Sequence, residues 1–197
     1  MPGLARARIT ISNQSVTMNT YVNILEKYRR VILMIMKPQF THLKTPLHKY
    51  TFKAPKIKQW VESQADGYTL NLFAGETNLN IQEYRNDIRE NMNADSHMDA
   101  LEFCDTYEGK KFDTAILDPP YAYRKSMEMY EGAVSSPFNQ LKNSLLKVLT
   151  ICGRVITFGY HSVSMGEKRG FYVEEICVMS HGGAIHDTIA TVEVRYK

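Results

Sequence analysis

No apolar run in these 197 residues reaches the roughly 18 to 20 that a membrane-spanning helix needs. The longest, Val31 to Met36, is followed by Lys37 and Pro38. Cysteine is scarce, with three residues (Cys104, Cys152 and Cys177) that are odd in number and far apart. That spacing excludes a disulfide framework and a CxxC metal knuckle, and leaves reduced core thiols in a cytoplasmic protein. Arg6 and Arg8 are followed by no continuous apolar stretch, so a secretory signal is not expected. Repeats and low-complexity tracts are also missing. With 44% hydrophobic and 23% charged residues, the chain has the composition of an ordinary globular protein of one domain.

The net charge of +3 conceals a partition. Residues 1 to 61 hold eleven Lys/Arg against one acid, Glu26, whereas residues 62 to 108 hold eleven Asp/Glu against two Arg. Clustered bases attract a phosphate backbone, so the first third is suited to a polyanion. The acidic middle is suited to something else.

Asn19 to Met36 carries apolar residues at three- and four-residue steps, a helical spacing ended by Pro38. Lys56 to Ser63 forms a second expected helix behind Pro55, and Phe138 to Thr150 a third, with Leu141, Leu145, Leu146 and Leu149 on one side. Five short runs rich in Ile, Val, Leu, Tyr and Phe read as strands: 68–73, 112–117, 154–158, 171–179 and 188–196. Alternating strands and helices with near-continuous apolar strands indicate an α/β fold whose sheet is mainly parallel and buried on both faces. The last two strands have no helix between them, only a turn at His181, Gly182 and Gly183, which predicts an antiparallel hairpin at one edge.

Ligands of such sheets bind beyond the carboxyl ends of the strands. Two strand ends are notable. After 70–72 comes Phe73-Ala74-Gly75, a small-residue turn that lets backbone approach a ligand, without the GxGxxG of a dinucleotide site. After 112–117 comes Asp118-Pro119-Pro120-Tyr121, which is stiff because two prolines fix two φ angles. A carboxylate and a main-chain carbonyl held beside an aromatic face make a slot for a flat heteroaromatic ring bearing an amino group.

Asp118-Pro119-Pro120-Tyr121 resembles the D/N-P-P-Y/F signature of the S-adenosylmethionine-dependent amino-methyltransferases, the DNA adenine-N6 and cytosine-N4 enzymes, whose relatives modify guanine N2 in ribosomal RNA. Asn71-Leu72-Phe73-Ala74-Gly75 looks like that family's cofactor motif, and the likeness runs from about Tyr50 onward. The resemblance implies a single Rossmann-like methyltransferase domain over 49–197, preceded by a basic helical extension over 1–48. It implies S-adenosylmethionine held by Phe73, Ala74, Gly75 and Thr77, with Asn71 near the methionine amino group and Tyr50 and Phe52 closing over that end. Asp87 would accept the ribose hydroxyls, and Asp99, with Ala100 beside it, would face the adenine. Thr77 stands where many relatives have a second glycine. Only eleven residues separate Gly75 from Asp87, too few for the usual helix and a strand. Either that helix is lost, leaving its side of the sheet to the 19–36 helix, or Glu83 or Glu90 is the ribose acid.

In the same way, the resemblance implies catalysis by Asp118, Pro119, Pro120 and Tyr121 on an amino group, most simply adenine N6 in DNA. An RNA guanine-N2 or adenine acceptor, or a silent cofactor-binding subunit, are the alternatives. Tyr123, Arg124, Lys125 and Lys53 are candidates for holding the nucleic-acid backbone, with Lys168 and Arg169 on a further loop. No target-recognition domain is expected, so specificity would come from short loops, an oligomeric partner or a separate subunit. No metal is expected: His181, His186 and Asp187 read as part of a hairpin turn.

Overall fold

The computed structural model describes residues 37–119, 137–183 and 186–197, which fall within one compact unit, Met36–Lys197. The expected helix over 19–36 lies outside them. The strands are β1 (Gln39–Lys44), β2 (Thr69–Asn71), β3 (Glu83–Arg85), β4 (Phe112–Leu117), β5 (Leu149–Gly159), β6 (Phe171–Ser180) and β7 (Thr188–Arg195). The helices are α1 (Pro55–Gln64), α2 (Ala100–Thr106) and α3 (Pro137–Val148). Pro55 opens α1 at its first turn, where its missing N–H costs nothing.

The strands form one seven-stranded sheet in the order β1-β6-β7-β5-β4-β2-β3. Pairing is parallel except around β7, which runs antiparallel to both β5 and β6. The fold class is therefore the expected α/β one, with the carboxyl-terminal hairpin in place. The hairpin is not at the edge, however, because β1 adds in parallel outside β6. β1 comes from the basic segment read as an extension, where Gln39–Lys44 has too little apolar alternation to announce a strand.

Alternate residues of the central strands feed two apolar layers. Ala115, Leu117 and Val155 pack with Phe103 and Cys104 of α2 and Leu141 and Leu145 of α3. Ile116, Ile156 and Phe158 face the other way, onto Ile57, Trp60 and Val61 of α1. Ile116 is fully buried, so its truncation to Ala would cost about 2–5 kcal/mol. Trp60 Nε1 and Gln64 Nε2 donate to the buried Glu175 carboxylate at 2.8 and 2.9 Å, which satisfies a charge at the α1–β6 contact. Cys104 and Cys177 are buried free thiols, each pushed up to about 12, chiefly by burial. Cys152 corrects the core-thiol expectation: it is exposed, at a positive φ of 72°.

No helix joins β2 to β3. The eleven residues 72–82 run as an irregular loop whose Leu79 and Ile81 pack, with α1, over that face of the sheet. The chain thus turns from β2 to β3 on one side, while β4 flanks β2 on the other. The order reverses there, and the crevice beyond the ends of β2 and β4 is the place where such sheets bind ligands.

Candidate functional site at the ends of β2 and β4

The glycine turn leaves β2 immediately after Asn71. Leu72 N–H donates to the Ile116 carbonyl at 3.2 Å and Ala74 N–H to the Asn86 carbonyl at 2.9 Å, so the turn is stitched to β4 and to the end of β3. Gly75 has φ +60°, a region an L side chain rarely adopts. Beneath the turn lies Arg85, 6% exposed. Its Nη2 donates to the Gly75 carbonyl at 2.9 Å and its Nη1 to the Thr77 carbonyl at 2.9 Å. Nε reaches the Asn93 carbonyl at 2.7 Å, and Glu83 Oε1 accepts from Nη1 at 2.9 Å. A buried guanidinium is tolerable only when paired and hydrogen-bonded, and this one is both.

Asp87, 5% exposed, follows at the end of β3. Its Oδ2 accepts from Gly75 N at 2.9 Å and from Arg89 Nη2 at 2.8 Å; its Oδ1 accepts from Arg89 N at 3.0 Å and Arg89 Nε at 2.8 Å. Burial alone would raise its pKa, but these charge-assisted and backbone bonds outweigh it and hold the carboxyl below its usual range. Asn86 between them is buried, with Nδ2 donating to the Met98 carbonyl and Oδ1 accepting from Ser96 Oγ and Met98 N. It ties β3 to the segment before α2, where Asn86 and Ser96 form a parallel bridge. Asp99 caps α2, its Oδ1 accepting from the N–H groups of Leu101 and Glu102 at 2.9 and 3.3 Å.

These groups line a cavity of about 910 Å³. One side is Phe73, Ala74, Gly75 and Thr77; another is Asn86 to Arg89 with Met98, Asp99 and Ala100; Asp118 and Pro119 enter from the end of β4. Tyr50 closes over the turn, its Cδ1 3.4 Å from where a Cβ on Gly75 would sit. Lys49, Lys53 and Arg89 lie 5.2, 5.1 and 5.9 Å from its ring centroid. Tyr160 and His186, with rings 5.8 Å apart, also line the cavity.

Of the residues read from the sequence, Tyr50, Phe73, Ala74, Gly75, Thr77, Asp87, Asp99, Ala100, Asp118 and Pro119 meet in this one cavity. Phe52 touches it but is 4% exposed and is anchored in the core, edge-on to Phe158 at 5.5 Å. Asn71 does not line it. Strand alternation sends its side chain to Glu83 Oε2 at 3.1 Å. Of the fallback acids, Glu83 is committed to Arg85 and Leu79 N, and Glu90 is exposed outside the cavity wall. Lys53 pairs with Glu76 at 2.7 Å. Arg169 holds Asn143 and the Met165 carbonyl. His181 sits within 3.1 Å of the Thr45 carbonyl and 2.9 Å of Thr188 Oγ1, tying the hairpin turn to the chain after β1. Pro120, Tyr121, Tyr123, Arg124 and Lys125 lie outside the described residues.

Arg85, Asn86, Arg89, Tyr160 and His186 were not anticipated. One signal for the first and third was present: Glu83, Arg85, Asp87 and Arg89 alternate in charge at every second residue, and in the structure Glu83 pairs with Arg85 and Asp87 with Arg89.

No protein-family model and no curated protein matches the chain. Among solved structures it is similar to TrmN from Thermus thermophilus, with 13% identity and a TM-score of 0.53 over 96% of this chain and 81% of that one. It is also similar to the N-methyltransferase NodS from Bradyrhizobium japonicum WM9, with 12% identity and a TM-score of 0.51 over 76% of this chain and 99% of that one. At such identities the likeness is one of architecture: the chain has the Rossmann-like methyltransferase fold.

Proposed function

We propose that the protein is an S-adenosylmethionine-dependent methyltransferase acting on an exocyclic amino nitrogen of a nucleic-acid base. The observation that carries this reading is the convergence of the Gly75 turn and Asp118-Pro119, from adjacent strands, on one cavity. The cavity fits the cofactor. Its volume lies within the roughly 300–1,000 Å³ of small-molecule sites, and Asp87 and Asp99 put two carboxylates on its wall, Asp87 with both oxygens engaged by Arg89 and Gly75 in this structure.

When bound, S-adenosylmethionine supplies an electrophilic methyl group. The chain's part is to hold the acceptor. Asp118 carboxylate and the Pro119 carbonyl accept the two amino N–H bonds, which favours a pyramidal nitrogen with its lone pair aimed at the cofactor side of the cavity. The Asp118 carboxylate offsets the positive charge that develops on nitrogen. Tyr121, by its place in the tetrapeptide, stacks on the ring face, which partly offsets the few kcal/mol of extracting a base from its stack.

The acceptor is first an RNA base, guanine or adenine. Adenine N6 in DNA is the second reading and rests on the tetrapeptide resemblance, while neither of the two structural neighbours is named for DNA. Transfer of labelled methyl from S-adenosylmethionine to ribosomal RNA, transfer RNA and duplex DNA, followed by nucleoside analysis, tests both. Label on an RNA purine amino group is expected. Label as N6-methyladenine in DNA would select the second reading, and binding of the cofactor without transfer to any of them would favour a silent subunit.

A further inference from the structure

Both oxygens of Asp87 are saturated by the chain itself: each accepts two hydrogen bonds, three of the four from Arg89 and one from Gly75 N. A carboxylate offers about four lone-pair sites, so none is left for a ribose diol. The Arg89 side chain is 46% exposed and lines the cavity. It can therefore move without opening the core, and its backbone N–H can stay on Oδ1 when it does. Its Nη2 shares Oδ2 with the Gly75 N–H, which places the guanidinium one oxygen atom away from the glycine turn. Tyr50 lies against that same turn and beneath the guanidinium.

We infer that Arg89 exchanges partners when the cofactor enters: its guanidinium leaves Asp87 for the α-carboxylate of the cofactor's amino-acid end, and Asp87 thereby becomes free to accept the ribose hydroxyls. This rests on the cofactor reading above and adds to it the group that recognises the amino-acid end. The exchange replaces one Arg–carboxylate pair with another, so the planar fork keeps its charge-assisted bonds throughout. Lys53 is committed to Glu76 and lies outside the cavity wall. Lys49 lines the wall but is a point charge that cannot grip a carboxylate bidentately. A consequence is selectivity. A nucleoside without the carboxylate must compete with Arg89 for Asp87 and gives Arg89 nothing in return.

Calorimetric titration of the wild type and of Arg89→Gln with S-adenosylhomocysteine and with 5′-methylthioadenosine tests this, because the second ligand keeps the adenosine and thioether but lacks the amino-acid group. The wild type should prefer S-adenosylhomocysteine. In Arg89→Gln, its affinity should fall by about 10-fold or more, the scale of a lost charge-assisted pair, while 5′-methylthioadenosine binds as well or better. Equal weakening of both ligands, or no weakening of the first, overturns the exchange and leaves the cofactor reading standing. A wild type that binds neither overturns both. Arg89→Lys keeps a cation without the fork and should fall between the two for S-adenosylhomocysteine with the second ligand unchanged. If melting shows the Gln variant unfolded, the Lys variant decides by the same ratio.

Discussion

The guanidinium of Arg85 lies beneath the turn that carries Gly75, with Nη2 2.9 Å from the Gly75 carbonyl oxygen. In doubly wound sheets a glycine turn usually runs into a helix, whose first turn orders it and lends it positive charge. Here 72–82 is too short for that helix, and a buried cation orders the loop from its carbonyl side instead. Of the loop's N–H groups, that of Gly75 faces Asp87, while those of Leu72, Ala74, Leu79 and Asn80 are held by Ile116, Asn86, Glu83 and Glu62.

Replacing Arg85 by Met would strip the loop of these bonds and leave Glu83 buried without its cation. The expected loss is about 3–5 kcal/mol in urea unfolding. Adding Glu83→Gln should recover part of it, because the uncompensated charge is then removed.

Gly75→Ala meets room but the wrong backbone. The added Cβ would lie 3.4 Å from Tyr50, an ordinary contact, whereas φ +60° strains any L residue by about 1–2 kcal/mol. A fall of roughly 2 to 8 °C in Tm is expected for a chain of this size, together with weaker S-adenosylhomocysteine binding as the turn relaxes.

Asp118→Asn retains the shape of the slot and removes the charge. Methyl transfer should fall by about 10²–10³ if the carboxylate stabilises the developing positive charge, with S-adenosylhomocysteine affinity largely retained. Turnover at the wild-type rate would exclude the assigned role of Asp118.

Lys142 on α3 donates to the Ser164 carbonyl at 2.9 Å and lies 4.8 Å from the Phe138 ring centroid. Burial, with Arg169 adding repulsion and Glu193 opposing it, lowers its pKa to about 8 from the ordinary 10.5. Between those two values the unfolded chain binds the extra proton, so stability rises with pH across the window and the penalty is complete below it. Unfolding measured from pH 7.5 to 10.5 should show this rise, and Lys142→Met should flatten it.

Strands β2, β4, β5, β6 and β7 and helices α1 and α3 were legible because apolar periodicity is a local property. Ile116 and Leu117 declare by alternation that both faces of β4 are buried, whatever covers them. Asp118-Pro119 was legible for a related reason, since proline stiffness is written in the residue itself. β1, β3 and α2 were not, being short or charged, with no period long enough to register. The functions of the charges were less legible still. Nothing local distinguishes Arg85, buried on loop carbonyls, from Arg89, half exposed on Asp87. Sequence alone determined the layered α/β architecture and the two strand ends where chemistry gathers. Tertiary structure alone decided which acid is already saturated and which cation holds the turn, because both depend on which carbonyls and N–H groups a helix-free loop brings within hydrogen-bonding distance.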